Sequence, residues 1–342
     1  MSPKGRILDS AEIPVSTAWP GDRMFSPSVV FDGRNYFVVW DHYRYYDGSQ
    51  VVGARVTPDG TVVDSSPITI APYGFDSAVA FDGTNYLVVW TAYQPGGPTL
   101  LMTRVSPSGE VLDPAGIVLA RTYFSSYSAV AFNGSNYLVL WRGDGGEIMG
   151  ARVTPGGVVL DPGGFAITSG AMYPTEATLS SDGTDYLVAW SDARFGCCSI
   201  FGTRVTGDGR ALDPRGFAIA THGRQQLEPA IAYDGANYLV AWTDNRSTTP
   251  DIYGARVTPS GRVLDRRGLL LSTGLPLRRC RVPRVVGLSL KRARARLHSA
   301  GCSVGGVRRT RSKRQRGVMR QSQRPGAVRW HGYPVWLVVG RA

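Results

Sequence analysis

Residues 230–242, AIAYDGANYLVAW, run from an apolar stretch into Asp-Gly and then into a second strand that is apolar on both alternating faces. Tyr238, Val240 and Trp242 fall on one side of that strand, and Leu239 and Ala241 on the other. The pattern predicts a β-hairpin whose turn needs positive φ at its Gly, with a second strand that must be covered from both sides. It recurs at 29–40 (VVFDGRNYFVVW), 78–90 (AVAFDGTNYLVVW), 129–141 (AVAFNGSNYLVLW) and 178–190 (TLSSDGTDYLVAW). Trp40, Trp90, Trp141, Trp190 and Trp242 therefore set a period of 49 to 52 residues. Several short strands repeating at that spacing predict a β-propeller, whose blades stack face to face.

Each unit continues alike. A variable polar loop leads to a strand ending near Gly-Ala-Arg-Val, a turn containing Gly, a strand closed by Asp and a last apolar run such as FAIAT at 217–221. The units span about 27–70, 77–120, 128–168, 176–220 and 229–272, giving five four-stranded blades within residues 1–276. Residues 5–17 (GRILDSAEIPVST) match 261–273 (GRVLDRRGLLLST) and predict an extra outer strand. Two arrangements accommodate it: a closed five-blade ring with that strand on an edge, or a six-blade array of which a blade and an export signal are missing. The segment MSPKGRILD has no apolar core of the kind a signal peptide carries.

Composition changes this picture at one point. The net charge of +12 divides into −6 over residues 1–276, which hold all 26 acidic residues, and +18 over 277–342, which hold 18 Lys and Arg and no acid. Two domains of opposite sign are expected, joined near residue 276. No stretch approaches the roughly 20 apolar residues of a membrane-spanning helix.

The Arg at equivalent positions (Arg55, Arg104, Arg152, Arg204, Arg256) and the Asp that close the next strand (Asp64, Asp113, Asp161, Asp213, Asp265) read as one structural joint repeated in every blade, because a scaffold repeats its residues whereas a site needs blades to differ. Differences concentrate in the loops after each Trp, where Tyr43, Tyr45, Tyr46 and Tyr93 could offer platforms to a glycan or protein partner. Arg142-Gly143-Asp144 is a tripeptide that arises easily by chance. Cys197 and Cys198 are adjacent, and the sequence does not decide whether they are bonded. His42, His222, His298 and His331 are dispersed, and no phosphate loop, metal-ligand spacing or nucleophile motif is present, so no cofactor and no metal are expected. The reading is a non-catalytic protein without catalytic residues. The alternative is a propeller-type glycoside hydrolase or lyase, for which Glu176 and Glu228, just ahead of inner strands, are the available acids, and which requires them to converge with Asp76 at the channel mouth.

From Leu277 the period stops. VPRVVG (282–287) predicts a short strand ending at Gly287. Ser289 is an N-cap, and Leu290, Ala293, Leu297 and Ala300 form one face of a helix that Gly301 stops. Strands follow at 303–310, 317–322 and 333–340, giving a small α+β domain. The run VPRVVGLSLKRARARLHSAGC (282–302), GVMRQSQRPG (317–326) and VWLVVGR (335–341) resembles the PASTA domain family over about the last 63 residues. Gln323 stands where the family usually has Pro. The resemblance implies a module outside the membrane that binds peptidoglycan or a related wall polymer, or serves as a spacer, and implies no catalysis. A Cys280–Cys302 bridge would close a loop around the first strand and helix, stabilise it by about 3 kcal/mol and require an oxidising compartment. Arg308, Arg309, Arg311, Arg316, Arg320 and Arg324 could grip the phosphates of an anionic wall polymer, or nucleic acid nonspecifically. Together these give an extracytoplasmic, wall-bound binding protein whose propeller loops meet an unknown partner.

Overall fold

The computed structural model describes residues 13–16, 22–44, 48–122, 128–195, 198–221, 225–246, 250–272, 280–300, 302–311, 317–326, 328–329 and 334–341. The chain divides into two compact units, 1–272 and 273–342. The first is all-β. Blade 1 is β1 (Arg23–Phe31), β2 (Tyr36–Arg44), β3 (Gly48–Val56) and β4 (Ile68–Ala71), and blade 2 is β5 (Phe75–Phe81), β6 (Tyr86–Gln94), β7 (Gly97–Val105) and β8 (Ile117–Arg121). Blade 3 comprises β9 (Ala129–Phe132), β10 (Tyr137–Arg142), β11 (Ile148–Val153) and β12 (Phe165–Ala166). Blade 4 comprises β13 (Thr175–Ser181), β14 (Tyr186–Asp192), β15 (Ser199–Val205) and β16 (Phe217–Ala220), and blade 5 comprises β17 (Gln226–Tyr233), β18 (Tyr238–Asp244), β19 (Asp251–Val257) and β20 (Leu269–Ser272). Each is a four-stranded antiparallel meander in chain order, as in a β-propeller.

The hairpin turns work as their sequence dictates. Asp32 accepts hydrogen bonds from the N–H groups of Arg34 and Asn35, both at 2.6 Å, and Gly33 takes φ 93°. Asp82, Asn133, Asp182 and Asp234 repeat the device. The turn of one blade also holds the next: the Tyr86 hydroxyl donates to Asp32 at 2.5 Å, Tyr137 to the Asn85 carbonyl at 3.0 Å and Tyr186 to the Asn136 carbonyl at 2.6 Å.

Blades stack by a repeated two-faced contact. The Tyr-Val-Trp face of one second strand packs on the alternate face of the preceding blade: Tyr238, Val240 and Trp242 lie against Leu187, Ala189, Ile200 and Ile219. The same arrangement joins blades 1 and 2, 2 and 3, and 3 and 4. Residues 13–16 form no strand, and the rest of the outer strand expected over 5–17 lies outside the described residues. Val15 nonetheless packs beside Trp40.

The Arg–Asp joint is present in all five blades. Arg104 Nε and Nη2 donate to the two carboxylate oxygens of Asp113 at 3.0 and 2.9 Å, and the Arg104 backbone N–H donates to the same group. Blades 1, 3, 4 and 5 repeat it through Arg55–Asp64, Arg152–Asp161, Arg204–Asp213 and Arg256–Asp265. The guanidinium partner holds Asp113, Asp161 and Asp213 below the ordinary carboxylate range despite partial burial. An acid whose pKa is depressed by folding binds fewer protons in the folded chain than in the unfolded one, so it stabilises the fold above the unfolded value, and that stabilisation is lost as pH falls through the folded value. Urea midpoints followed downward from neutral pH are expected to drop once pH passes below about 4, and Asp113→Asn should flatten that drop.

The second unit has helix α1 (Leu290–Ser299) against a sheet of β22 (Ser303–Arg311), β25 (Pro334–Arg341) and β23 (Gly317–Gln321), in the order β22-β25-β23 with β22 and β25 parallel. Ser289 caps α1 by accepting from the Arg292 N–H, and Ala293 and Leu297 are its buried residues. The strand expected at 282–286 does not form. The strand pairing instead comes from β21 (Cys280–Arg281) with β24 (Val328–Arg329), and Gln321 takes over the backbone groups that 282–286 leave open. Its side chain accepts from the Val285 N–H at 2.9 Å and donates to the Pro283 and Gln323 carbonyls at 3.1 and 2.8 Å. Gln321→Ala is expected to destabilise this unit by about 1–3 kcal/mol, because it leaves partly buried backbone groups without partners. Calorimetry of the full chain should show that loss in the small unit's transition alone. Among the described residues no helix is long and apolar enough to cross a membrane.

Candidate active site at the axial strands

The first strands of successive blades lie side by side and carry one unusual feature at equivalent positions. Ser26, Asp76, Glu176 and Glu228 have φ of 51°, 55°, 55° and 53°. Each sits in a β-bulge, marked by the register shifts Phe25/Ser28, Phe75/Ala78, Thr175/Thr178 and Leu227/Ala230. Left-handed backbone costs on the order of 1–3 kcal/mol in a residue other than Gly, and Glu has no special tolerance for it. A bulge re-aims a side chain, and here it re-aims three acids from three blades.

The neighbouring second strand supplies the other half of the site, at the residue after each Trp: Asp41, Thr91, Arg142, Ser191 and Thr243. Ser191 Oγ donates to Glu176 Oε2 at 3.3 Å and Thr243 Oγ1 to Glu228 Oε2 at 3.1 Å. Acids are then linked across blade boundaries. The backbone N–H of Glu228 donates to Glu176 Oε2 at 2.6 Å, and that of Asp76 donates to Asp41 Oδ2 at 2.7 Å. Asp41 is buried and also accepts from the Ser77 hydroxyl at 2.6 Å.

The first pair is electrostatically distinct. Burial pushes Asp41 above the usual carboxylate range, with the Ser77 and Asp76 hydrogen bonds opposing it, and burial together with the Asp41 charge pushes Asp76 up as well. Two neighbouring carboxyls that resist ionisation are suited to holding a proton for donation. Asp76 is half-buried and Glu228 exposed, so both can be reached by a solute. Among the described residues no three His, Cys, Asp or Glu side chains approach closely enough to hold a metal ion.

Of the acids picked out from sequence, Glu176 and Glu228 are thus brought together, while Asp76 is joined to Asp41, which sequence reasoning missed. The signal was available: aligned on the Trp, Asp41 replaces Thr or Ser of three sibling blades. Blades 2 and 4 carry exposed aromatic residues, with Tyr73 and Tyr173 three residues ahead of Asp76 and Glu176 in sequence. Tyr93, with its ring 5.5 Å from that of Phe75, is 71% exposed, and Tyr73, Tyr173 and Phe195 are about as open. Tyr43 is partly exposed and Tyr45 lies outside the described residues. In the second unit Arg308, Arg309, Arg320 and Arg324 are exposed, β22 ends at Arg311, and Arg316 lies outside the described residues.

No known family model matches the chain, and no curated protein is similar to it in sequence. Solved structures similar to it include the subtype N11 neuraminidase-like protein of A/flat-faced bat/Peru (H18N11), at 12% identity and a TM-score of 0.42 over 56% of this chain and 51% of that one. The GH43 BlXynB protein from Bacillus licheniformis matches at 13% and 0.46, over 77% of this chain and 58% of that one. The GH43_1 enzyme from Xanthomonas citri complexed with xylose matches at 11% and 0.45, over 70% and 89%. The chain thus spans little more than half the length of the first two. At these identities the likeness shows the fold alone. The expectation of a non-catalytic protein that is not an enzyme is corrected at this point: the similar solved structures include a GH43_1 enzyme and a GH43 endo-arabinanase, a likeness of fold that by itself assigns this chain no activity.

Proposed function

We propose that the first unit is a carbohydrate-active hydrolase working at the axial carboxylates, with Asp76 as proton donor to the leaving oxygen and Glu228, held by Glu176 and Thr243, as the second carboxylate. The observation that carries this reading is the set of acids held on strained bulges at positions where other blades differ. Asp41 is a positioning residue: buried, it receives the Asp76 N–H and raises the Asp76 carboxyl. The exposed aromatic rings at Tyr93 and Tyr73 suit stacking on sugar rings.

The second unit, on this reading, is a PASTA-type module that keeps the enzyme on an anionic wall polymer outside the cytoplasm. Its exposed Arg308, Arg309, Arg320 and Arg324, and its lack of any acid, support that role. The Cys280–Cys302 bridge belongs to the same proposal: β21 begins at Cys280, and Cys302 is buried beside Val285 and Leu297. A panel of nitrophenyl glycosides assayed between about pH 4 and 8 tests the enzyme reading. Turnover with a bell-shaped profile is the expected result, and no turnover of any glycoside would sink it.

A further inference from the structure

The stack of blades ends in two exposed faces that are the two halves of its own internal contact. On blade 5, Leu239, Ile252 and Leu271 are 39%, 39% and 47% exposed, whereas their blade 4 counterparts Leu187, Ile200 and Ile219, covered by blade 5, are 0%, 0% and 3% exposed. On blade 1, Tyr36 is 42% exposed, whereas Tyr86, Tyr137, Tyr186 and Tyr238 are at most 2% exposed against their preceding blades. Val29 and Phe31 lie open beside Tyr36, while Val79 and Phe81, their counterparts in blade 2, pack against blade 1.

What fits each face is shown four times within the chain, since every internal boundary sets a Leu239-type face on a Tyr36-type face. A fifth instance is partial. Trp40 is covered in part by Val15, which matches Leu271 in the repeat alignment, so the outermost place on blade 1 is held by the chain's own copy of a β20 segment.

We propose that blade 5 of one molecule docks on blade 1 of a second copy, with Leu239 and Ile252 covering Val29, Phe31 and Tyr36, and Leu271 exchanging with Val15 at Trp40. The contact joins two different surfaces, so it is head-to-tail and continues until a ring closes. This inference is independent of the enzyme reading.

Sedimentation velocity on the full chain tests it. The wild type is expected to associate beyond a dimer as concentration rises to about 100 μM, a range in which modest interfaces populate. Leu239→Glu/Ile252→Glu spoils one face and Tyr36→Glu the other. Because all three residues are exposed, the variants should keep the wild-type circular dichroism. Each variant alone is expected to stay monomeric, and their mixture to stop at a one-to-one dimer. A monomeric wild type would overturn the proposal. So would association unchanged by both variants, or a Leu239→Cys/Tyr36→Cys chain that cross-links within itself, since blade 5 would then close on its own blade 1.

Discussion

Asp76→Asn is expected to lower glycoside turnover by about 10²–10⁴-fold, the usual contribution of a positioned proton donor, while leaving the thermal midpoint near that of the wild type. Asn keeps the size of the side chain and tolerates the φ of 55° that the bulge imposes. The hydrogen bond to Asp41 comes from the residue 76 backbone N–H, so it survives the change. Asp41→Asn should act differently. It removes a negative charge that raises the Asp76 carboxyl, so Asp76 loses its proton at lower pH and the alkaline limb of kcat/KM moves downward. A purely structural Asp41 would change the midpoint of unfolding and leave the position of that limb alone. The pH profiles of the two variants against wild type therefore separate donor from positioning residue.

The largest stability effect is expected at Trp190. Its side chain is fully buried, its Nε1 donates to Asp192 at 3.0 Å, and its ring lies against Phe201 with centroids 6.3 Å apart. Gly216, at φ 70°, leaves room for the ring: a Cβ there would fall 2.6 Å from it. Trp190→Ala removes this packing and one of the two donors to Asp192 Oδ2, leaving Arg194, and is expected to cost about 3–5 kcal/mol. Arg194, which pairs with Asp192 and lies over Phe201 at 4.1 Å, should lose part of its own contribution with it. Urea unfolding followed by far-UV circular dichroism reads the change. Among the described residues Trp40 and Trp90 have no equivalent partner for Nε1, so Asp192→Ala should weaken blade 4 by a route not seen in blades 1 and 2.

The hairpins and their period were legible because the signals are local. Asp-Gly fixes the turn through the Asp32 carboxylate, and alternation fixes which side Trp40 faces. Helix α1 was legible for the same reason, from Ser289 to the buried Ala293 and Leu297. The axial site was half legible. Asp76, Glu176 and Glu228 stand out as acids beside apolar strands, but the bulge beneath them requires left-handed backbone at Glu, which no propensity foretells. Asp41 escaped notice because it reads as the first residue of a polar loop, while it in fact continues β2 and turns toward the neighbouring blade. Whether blades 1 and 5 meet could not be read from Leu239 or Tyr36, whose residue types are those of every other blade. Their exposure depends on what packs there. The 282–286 stretch misled for a related reason: Val282 and Val285 are buried, yet Gln321 rather than a strand satisfies the backbone between them.

The most direct test of the central claim is reducing-end release from a panel of polysaccharides by the full chain, run beside the Asp76→Asn/Glu228→Gln double variant. The axial carboxylates predict release by the wild type and a background rate from a folded double variant. Equal release by both proteins, or none by the wild type on any glycan or aryl glycoside offered, would contradict a hydrolase centred on these acids.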